Sequence, residues 1–192
     1  MATNTPNYQL RKPAGSDLVN VVTDIGDNMD DIDTNLKRVD DYTLLKPLAR
    51  LRQEAAQSVN ASTWTALSFG AEDIDTHNGH DNSTNPSRYT VQKEGYYRLG
   101  GGSWWASNAT GVRFTRWAKN GNVIENAGTD VAPLGGGSVT YVPAVDIIIS
   151  AIVSDYFELM VWQNSGGSLN TAVAGGTNEE GASANIEWLR PL

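Results

Sequence analysis

Five side chains that could bind a metal ion lie close together between residues 73 and 81. They are Asp73, Asp75, His77, His80 and Asp81. Carboxylate oxygens and imidazole nitrogens are common ligands of divalent cations, so a calcium or zinc site is one interpretation. The same segment contains asparagines and a glycine, which are typical of turns that satisfy their own hydrogen bonds. We favour turns over a metal site, and we predict that the protein has no cofactor.

The residues needed for hydrolysis are poorly placed in this sequence. The chain has no cysteine, and none of its serines lies in the Gly-x-Ser-x-Gly pattern that surrounds the nucleophile of many hydrolases. Glu179 and Glu180 are adjacent, so their side chains point apart rather than across a cleft as in a glycosidase pair. We therefore predict that the protein is not an enzyme, and a polysaccharide-degrading enzyme is the least favoured alternative.

The composition of the chain restricts its class. With 192 residues and a net charge of -8, the chain can hold one domain and an extension. An acidic chain is poorly suited to nucleic acid, whose phosphates bind clustered lysine and arginine side chains. The N-terminus lacks a signal-peptide pattern, and the most apolar stretch is interrupted by Asp146, Ser150 and Asp155. We predict neither nucleic-acid binding nor insertion into a membrane.

The first 46 residues differ in character from the rest of the chain. Residues 17–41 are rich in aspartate, and apolar residues recur there at alternating spacings of four and three. This spacing is typical of a coiled-coil seam, and isoleucine at the d positions favours three or four strands. A single amphipathic helix docked on another protein is the alternative interpretation. We expect the helix to begin near Ser16. The residues predicted to dock the arm and the helix on a partner are Tyr8, Leu10, Leu18, Val22, Ile25, Met29, Ile32 and Leu36.

From residue 47 onward, short alternating strands separated by turns are typical of a β-sandwich or jelly roll. Asn120-Gly121 predicts a tight hairpin between residues 112–119 and 122–126. Residues 146–153 and 155–163 are apolar on both faces, whereas a strand of a monomeric sandwich normally turns a polar face to water. We therefore predict that one sheet packs against other copies of the chain. The predicted interface residues are Ile148, Ile152, Tyr156, Met160 and Trp162.

Several stretches of this second region resemble one known family. Residues 95–99 read Gly-Tyr-Tyr-Arg-Leu, and residues 113–124, 155–166 and 184–189 follow in the expected order. Together they resemble the globular head of complement component 1q and its tumour-necrosis-factor-like (TNF-like) relatives. Ser154 departs from that pattern, which has glycine before the aspartate. The resemblance implies an all-β jelly-roll head in residues 47–192 that forms a homotrimer, preceded by an arm and helix in residues 1–46.

A second resemblance concerns bacteriophage proteins. Residues 64–89 look like phage versions of this domain, and residues 5–8 and 15–33 resemble the attachment segments of phage tail-fibre and minor tail proteins. This implies a virion protein, assembled in the host cytoplasm, that binds other phage structural proteins through residues 1–40. The head is then expected to adhere to the host surface, with a host glycan as candidate partner. A capsid decoration or head-fibre protein that stabilises the shell is the alternative.

The loops of the head are the predicted places for adhesion. Loops 70–87 and 165–181 are rich in glycine, asparagine and serine, and binding residues often lie on such loops when a rigid scaffold holds them. The tryptophans have two interpretations, stacking on sugars or filling the core and trimer axis. We expect the second for Trp117, Trp162 and at least one of Trp104 and Trp105.

Overall fold

A computed structural model describes residues 3–4, 11–12, 25–43, 46–133, 138–173 and 181–192. The chain divides into two compact units, Met1–Lys46 and Pro47–Leu192. In the first unit, strands β1 (Thr3–Asn4) and β2 (Arg11–Lys12) pair antiparallel, and helix α1 spans Gly26–Thr43. The predicted helix start near Ser16 and the docking residues Tyr8, Leu10, Leu18 and Val22 lie outside the described residues.

The second unit is the head, and its described secondary structure consists of strands. They are β3 (Leu48–Arg52), β4 (Ser58–Val59), β5 (Thr65–Ala66), β6 (Ala71–Asp75), β7 (Arg88–Thr90), β8 (Gly95–Trp105), β9 (Arg113–Lys119), β10 (Asn122–Val131), β11 (Thr140–Pro143), β12 (Ile147–Ala151), β13 (Tyr156–Gln163), β14 (Leu169–Asn170) and β15 (Ser183–Arg190).

Most of these strands form two antiparallel sheets. The five-stranded sheet has the order β10-β9-β13-β5, with β7 also paired to β13. The six-stranded sheet has the order β11-β8-β15-β3-β6, with β12 also paired to β8, and β14 and β4 form a separate pair. Both sheets contribute fully buried side chains to one core, among them Trp105, Trp117, Trp188, Tyr97 and Phe157. The predicted all-β jelly-roll sandwich is confirmed.

The alternation of side chains along β13 explains how this strand joins the core. Phe157, Leu159 and Val161 are buried in the core, as the sequence predicts for one face of the strand. Tyr156, Met160 and Trp162 lie on the opposite face, because successive side chains of a strand point to opposite sides of the sheet.

Glycine and asparagine occupy positions where the backbone of the sheets turns sharply or where two strands approach closely. The predicted hairpin joins β9 to β10, and its two central residues, Asn120 and Gly121, have φ angles of 53° and 74°. In β8, Gly101 has a φ of 144°, and a Cβ atom there would lie 2.1 Å from the carbonyl oxygen of Ser183. The glycine run at 100–102 therefore permits close approach of the backbone of β15, as expected from its place inside a strand.

One expectation about the sheets is corrected. The sequence suggested that residues 146–153 and 155–163 present their second apolar faces on one sheet, but β12 belongs to the six-stranded sheet and β13 to the five-stranded sheet. The turn at residues 152–155 carries the chain from one sheet to the other, and the backbone N–H of Asp155 donates to the carbonyl oxygen of Ile152. Ser154 has a φ of 75°, a backbone conformation that favours glycine. This chain therefore has serine at a position where the complement 1q pattern has glycine.

The Asp155 carboxylate joins this turn to the β9–β10 hairpin. It accepts hydrogen bonds from Asn120 Nδ2 at 2.7 Å and from the backbone N–H of Ile152 at 3.0 Å, and it lies 2.8 Å from Lys119 Nζ. Burial alone would raise the pKa of this carboxyl, but the hydrogen bonds from Lys119 and Asn120 outweigh it and lower the pKa to about 2. The folded state therefore favours the ionised carboxylate.

Replacing Asp155 with asparagine is expected to lower the free energy of unfolding by about 1 kcal/mol at neutral pH, since the ion pair is partly screened by solvent. The folded pKa lies below the unfolded value of 3.8, so the contribution of the carboxylate is present above that value and is lost as the pH falls towards about 2. Denaturant unfolding of Asp155→Asn and wild type should therefore differ near neutral pH and converge near about pH 2. An equal difference at both pH values would contradict this role.

Candidate functional site

The carboxylates of the candidate metal segment are engaged within the fold. Asp73 lies 3.1 Å from Nε of Arg52. Asp75 accepts hydrogen bonds from the backbone N–H groups two and five residues further along, and Asp81 from those two and three residues further along. The contacts of Asp75 and Asp81 are turn contacts, and that of Asp73 is an ion pair between two strands, so none of them needs a cation.

The two histidines of that segment also contact groups of the protein. The buried His80 places Nδ1 2.8 Å from the carbonyl oxygen of Arg88 and Nε2 3.2 Å from that of Phe69, and His77 Nδ1 lies 2.9 Å from the Thr76 hydroxyl. Within the described parts of the chain, no group of three or more His, Cys, Asp or Glu side chains is arranged to hold a metal ion. The structure thus supports the turn interpretation. Glu179 and Glu180 lie outside the described residues.

The outer face of the six-stranded sheet, turned away from the core, carries exposed apolar side chains. The side chain of Ile148 on β12 is 62% exposed, and Ile152, just beyond this strand, is 56% exposed. On the same face the rings of Trp104 and Tyr141 lie 5.0 Å apart. Gly102 lies beneath Tyr141, since a Cβ atom there would be 2.5 Å from the tyrosine hydroxyl. These apolar side chains lie beside polar ones, since Arg98, directly opposite Ile148, forms an ion pair with Glu187 at 3.7 Å.

The outer face of the five-stranded sheet is also aromatic, and its rings pack partly against one another and against Arg116. Trp162 packs edge-on against Phe114 at 5.2 Å, and Trp64 lies 6.4 Å from Trp162. The guanidinium carbon of Arg116 lies 3.4 Å from the centroid of the Trp64 ring. Together these side chains leave Trp162 partly buried, so its apolar face already has neighbours.

Tyr156 on the same face is covered in a similar way. The guanidinium carbon of Arg88 lies 4.0 Å from the centroid of the Tyr156 ring, and Arg88 Nε lies 3.1 Å from the buried carboxylate of Glu158. Ser87 donates a second hydrogen bond to Glu158 at 3.1 Å. Tyr156 therefore packs beneath an arginine that is itself held by an ion pair.

The structure divides the five predicted interface residues between the two sheets. Tyr156, Met160 and Trp162 lie on the five-stranded sheet, whereas Ile148 lies on the six-stranded sheet and Ile152 follows it. The two groups therefore form two separate patches on the head. The roles of these residues in an interface stay a prediction. Ile148 and Ile152 are the better candidates because they are more exposed than the other three. Trp117 and Trp105 are in the core as expected, with Trp104 on the outer face.

Helix α1 presents the described part of the predicted docking seam. Its apolar side chains are exposed in the single chain, at the heptad spacing seen in the sequence. They are Met29, Ile32 and Leu36, and Ile25 immediately before the helix is exposed as well. No helix among the described residues is both long enough and apolar enough to cross a membrane.

The arrangement of strands identifies the head as a TNF-like jelly roll. Its fold resembles that of murine APRIL at pH 5.0, with a TM-score of 0.54 and 9% sequence identity over 75% of this chain and 99% of that chain. It also resembles the Eiger TNF of S. frugiperda, with a TM-score of 0.55 and 9% identity over 77% of this chain and 94% of that chain. No protein-family model matches the sequence, and no curated protein matches it significantly. At such low identity the likeness concerns the fold alone.

Proposed function

We propose that the protein is a non-enzymatic bacteriophage virion protein, a homotrimeric tail fibre or spike whose jelly-roll head adheres to the host surface. The observation that carries the homotrimer is the group of exposed apolar side chains on the outer face of the six-stranded sheet. Exposed apolar patches on soluble proteins mark interaction sites, and in a cyclic trimer each copy would bury this patch against its neighbours. In this arrangement Ile148, Tyr141 and Trp104 are buried between subunits.

The phage context is supported by the resemblance of residues 5–8 and 15–33 to attachment segments and of residues 64–89 to phage heads. The exposed seam of α1 suits either a coiled coil of three copies or docking on another virion protein. In both cases the N-terminal unit attaches the trimer to the particle through residues 1–40, and the head remains free to meet the host. Three weak binding sites in each trimer then act together as one multivalent surface.

Replacing Ile32 with aspartate is expected to reduce incorporation of the protein into particles at least about tenfold, because a charge replaces an apolar side chain of the seam. Thr34→Asp is the matched control, since it adds the same charge to α1 at an exposed position outside the seam. The measurement is quantitative mass spectrometry of purified particles made with each variant. Equal incorporation of Ile32→Asp and Thr34→Asp would contradict a role for the seam.

Electron microscopy of intact particles separates the two virion locations. Density for the trimer at the tail supports the fibre or spike, whereas density on the capsid supports the decoration protein of the alternative. Absence of the protein from purified particles would contradict the virion assignment. Binding of the purified chain to host cells tests adhesion independently of location.

A further inference from the structure

A groove of about 260 Å³ lies on the outer face of the five-stranded sheet. It runs between β9 and an irregular part of β10, and its volume is slightly below the range of about 300–1,000 Å³ for sites that hold drug-sized ligands. It therefore suits one small ring. Among the residues that line it are Trp64, Phe114, Arg116, Glu125, Asn126 and Asp130.

The groove results from a bulge in β10. Val123 pairs with Ala118 and Gly128 pairs with Arg116, so residues 124–127 stand opposite Trp117 alone. Extra residues on one strand lift it locally out of the sheet, and Asn126 within the bulge has a φ of 57°. Bulges of this kind occur often beside functional sites.

A glycine keeps the groove open beside Arg116. A Cβ atom on Gly128 would lie 2.9 Å from Cβ of Arg116, closer than such atoms normally approach. The Arg116 guanidinium stacks on Trp64.

Arg116 has hydrogen-bonding capacity that its surroundings leave unused. Its Nε is buried and has no hydrogen-bond partner among the described residues, and no described carboxylate forms an ion pair with it. Burial lowers the pKa of this guanidinium, consistent with its position against the indole. A buried donor without a partner is uncommon, and because this Nε is buried, a ligand in the groove would reach the Nη groups of Arg116 instead.

The rim of the groove supplies acceptors. Glu125, Asn126 and Asp130 are exposed on β10, where their side-chain oxygens can accept hydrogen bonds. The groove thus combines an aromatic floor with a donor on one side and acceptors on the other. A sugar hydroxyl can donate and accept, and the carbon-bound hydrogens of a pyranose ring form an apolar face that packs on aromatic side chains.

The charges of the groove restrict the ligand further. Two carboxylates, Glu125 and Asp130, outnumber the single cation Arg116, so an anionic ligand meets excess negative charge. A neutral ligand with many hydroxyl groups avoids this penalty and can use both the donor and the acceptors of the groove.

We infer that the groove binds one neutral pyranose ring of a host-surface saccharide. The inference rests on the proposed adhesion function and gives that function a ligand class and a place on the strands rather than the loops. Trp64 and Phe114 pack against the ring, Arg116 donates to ring hydroxyls, and Asp130 and Glu125 accept from them. One such site binds weakly, and the three sites of a trimer bind a polysaccharide with avidity.

The first test is ligand-observed NMR with the full chain. The probes are glucose, galactose and N-acetylglucosamine, with glucuronic acid as the anionic counterpart. At least one neutral sugar is expected to bind with a Kd on the order of 1–10 mM, and glucuronic acid at least about threefold more weakly. If no neutral sugar binds up to about 50 mM, or if glucuronic acid binds best, the inference is wrong.

The second test uses variants of the groove. Trp64→Ala is expected to weaken binding of the neutral sugar at least about tenfold, and Asp130→Asn about threefold, because they remove the aromatic floor and one acceptor. Asp130 is exposed, so its variant carries little risk of misfolding. Glu72→Gln, an exposed carboxylate on the six-stranded sheet, is the matched control and should leave the Kd unchanged. Unchanged binding by both groove variants would overturn the inference.

Whole-cell binding distinguishes failure of the groove from failure of the proposed function. Adhesion of the wild-type protein and loss of adhesion in Trp64→Ala support both. If wild type and Trp64→Ala adhere equally, the groove inference fails while adhesion stands. If wild type binds a neutral sugar through the groove but adheres to no host cell, adhesion fails while the groove stands.

Discussion

Replacing Ile148 with lysine is expected to convert the proposed homotrimer into folded monomers. Ile148 is 62% exposed in the single chain, so lysine at this position stays hydrated in a monomer and leaves the fold intact. In the trimer the same ammonium group would be buried without a partner, which costs several kcal/mol of association. Lysine is preferred to aspartate because Arg98 lies directly opposite on β8 and could neutralise a carboxylate.

The matched control for this substitution lies on the other sheet. Val123 on β10 is 50% exposed and precedes the bulge, so Val123→Lys adds the same charge at a similarly exposed apolar position. Sedimentation velocity should show Ile148→Lys as a monomer and Val123→Lys as a trimer. A trimeric Ile148→Lys variant would place the interface elsewhere, and a monomeric Val123→Lys variant would point to the five-stranded sheet.

Replacing Trp105 with alanine is expected to have the largest effect on stability, a loss of about 3–5 kcal/mol in the free energy of unfolding. Trp105 is fully buried in the core, and its indole N–H donates to the Ser103 hydroxyl at 3.0 Å. The buried Arg113 lies 5.9 Å from its ring and donates to the carbonyl oxygens of Asn108 and Thr110. The substitution leaves a cavity and removes one wall of the Arg113 site, and a whole domain is stable by only about 5–15 kcal/mol.

Trp64→Ala serves as the comparison, because Trp64 is partly exposed and packs mainly beneath Arg116. Its loss should cost only about 1 kcal/mol. Denaturant unfolding of both variants at one protein concentration measures the difference, since the stability of an oligomer depends on concentration. Equal losses in the two variants would contradict the assignment of Trp105 to the core.

Local patterns in the sequence predicted much of the head. The alternation of Phe157, Leu159 and Val161 indicated the buried face of β13, and Asn120-Gly121 indicated the β9–β10 hairpin. Each of these features depends on residues that are close together in the sequence, so a local pattern is enough to predict it. Alternation does not show which sheet a strand joins, because long-range pairing decides that. Hence β12 and β13 were expected to face one partner but lie in different sheets.

The groove could not be predicted from the sequence for a similar reason. Trp64 and Arg116 are far apart in the chain and meet only because β5 and β9 both pair with β13. The bulge depends on a register shift between Val123 and Gly128, and no turn motif in the sequence predicts this shift. The only local signal is the outward alternation of Phe114 and Arg116 along β9, and this pattern is also that of an ordinary half-exposed strand.

In the candidate metal segment, the sequence allowed two interpretations. Its residue types suit a cation site and a set of turns equally well, so composition alone leaves the choice open. The contacts in the structure fit the turns, since Asp75 and Asp81 accept backbone N–H groups and His80 lies between two carbonyl oxygens. The absence of a metal ion stays a prediction.

Sedimentation equilibrium of residues 47–192 tests the central claim most directly, which is that the head forms a homotrimer through its six-stranded sheet. These residues form a compact unit with its own core, so they can be studied without the N-terminal unit. The account predicts three times the mass of one head at all concentrations well above the dissociation constant. A stable, folded monomer across the same concentrations would contradict it.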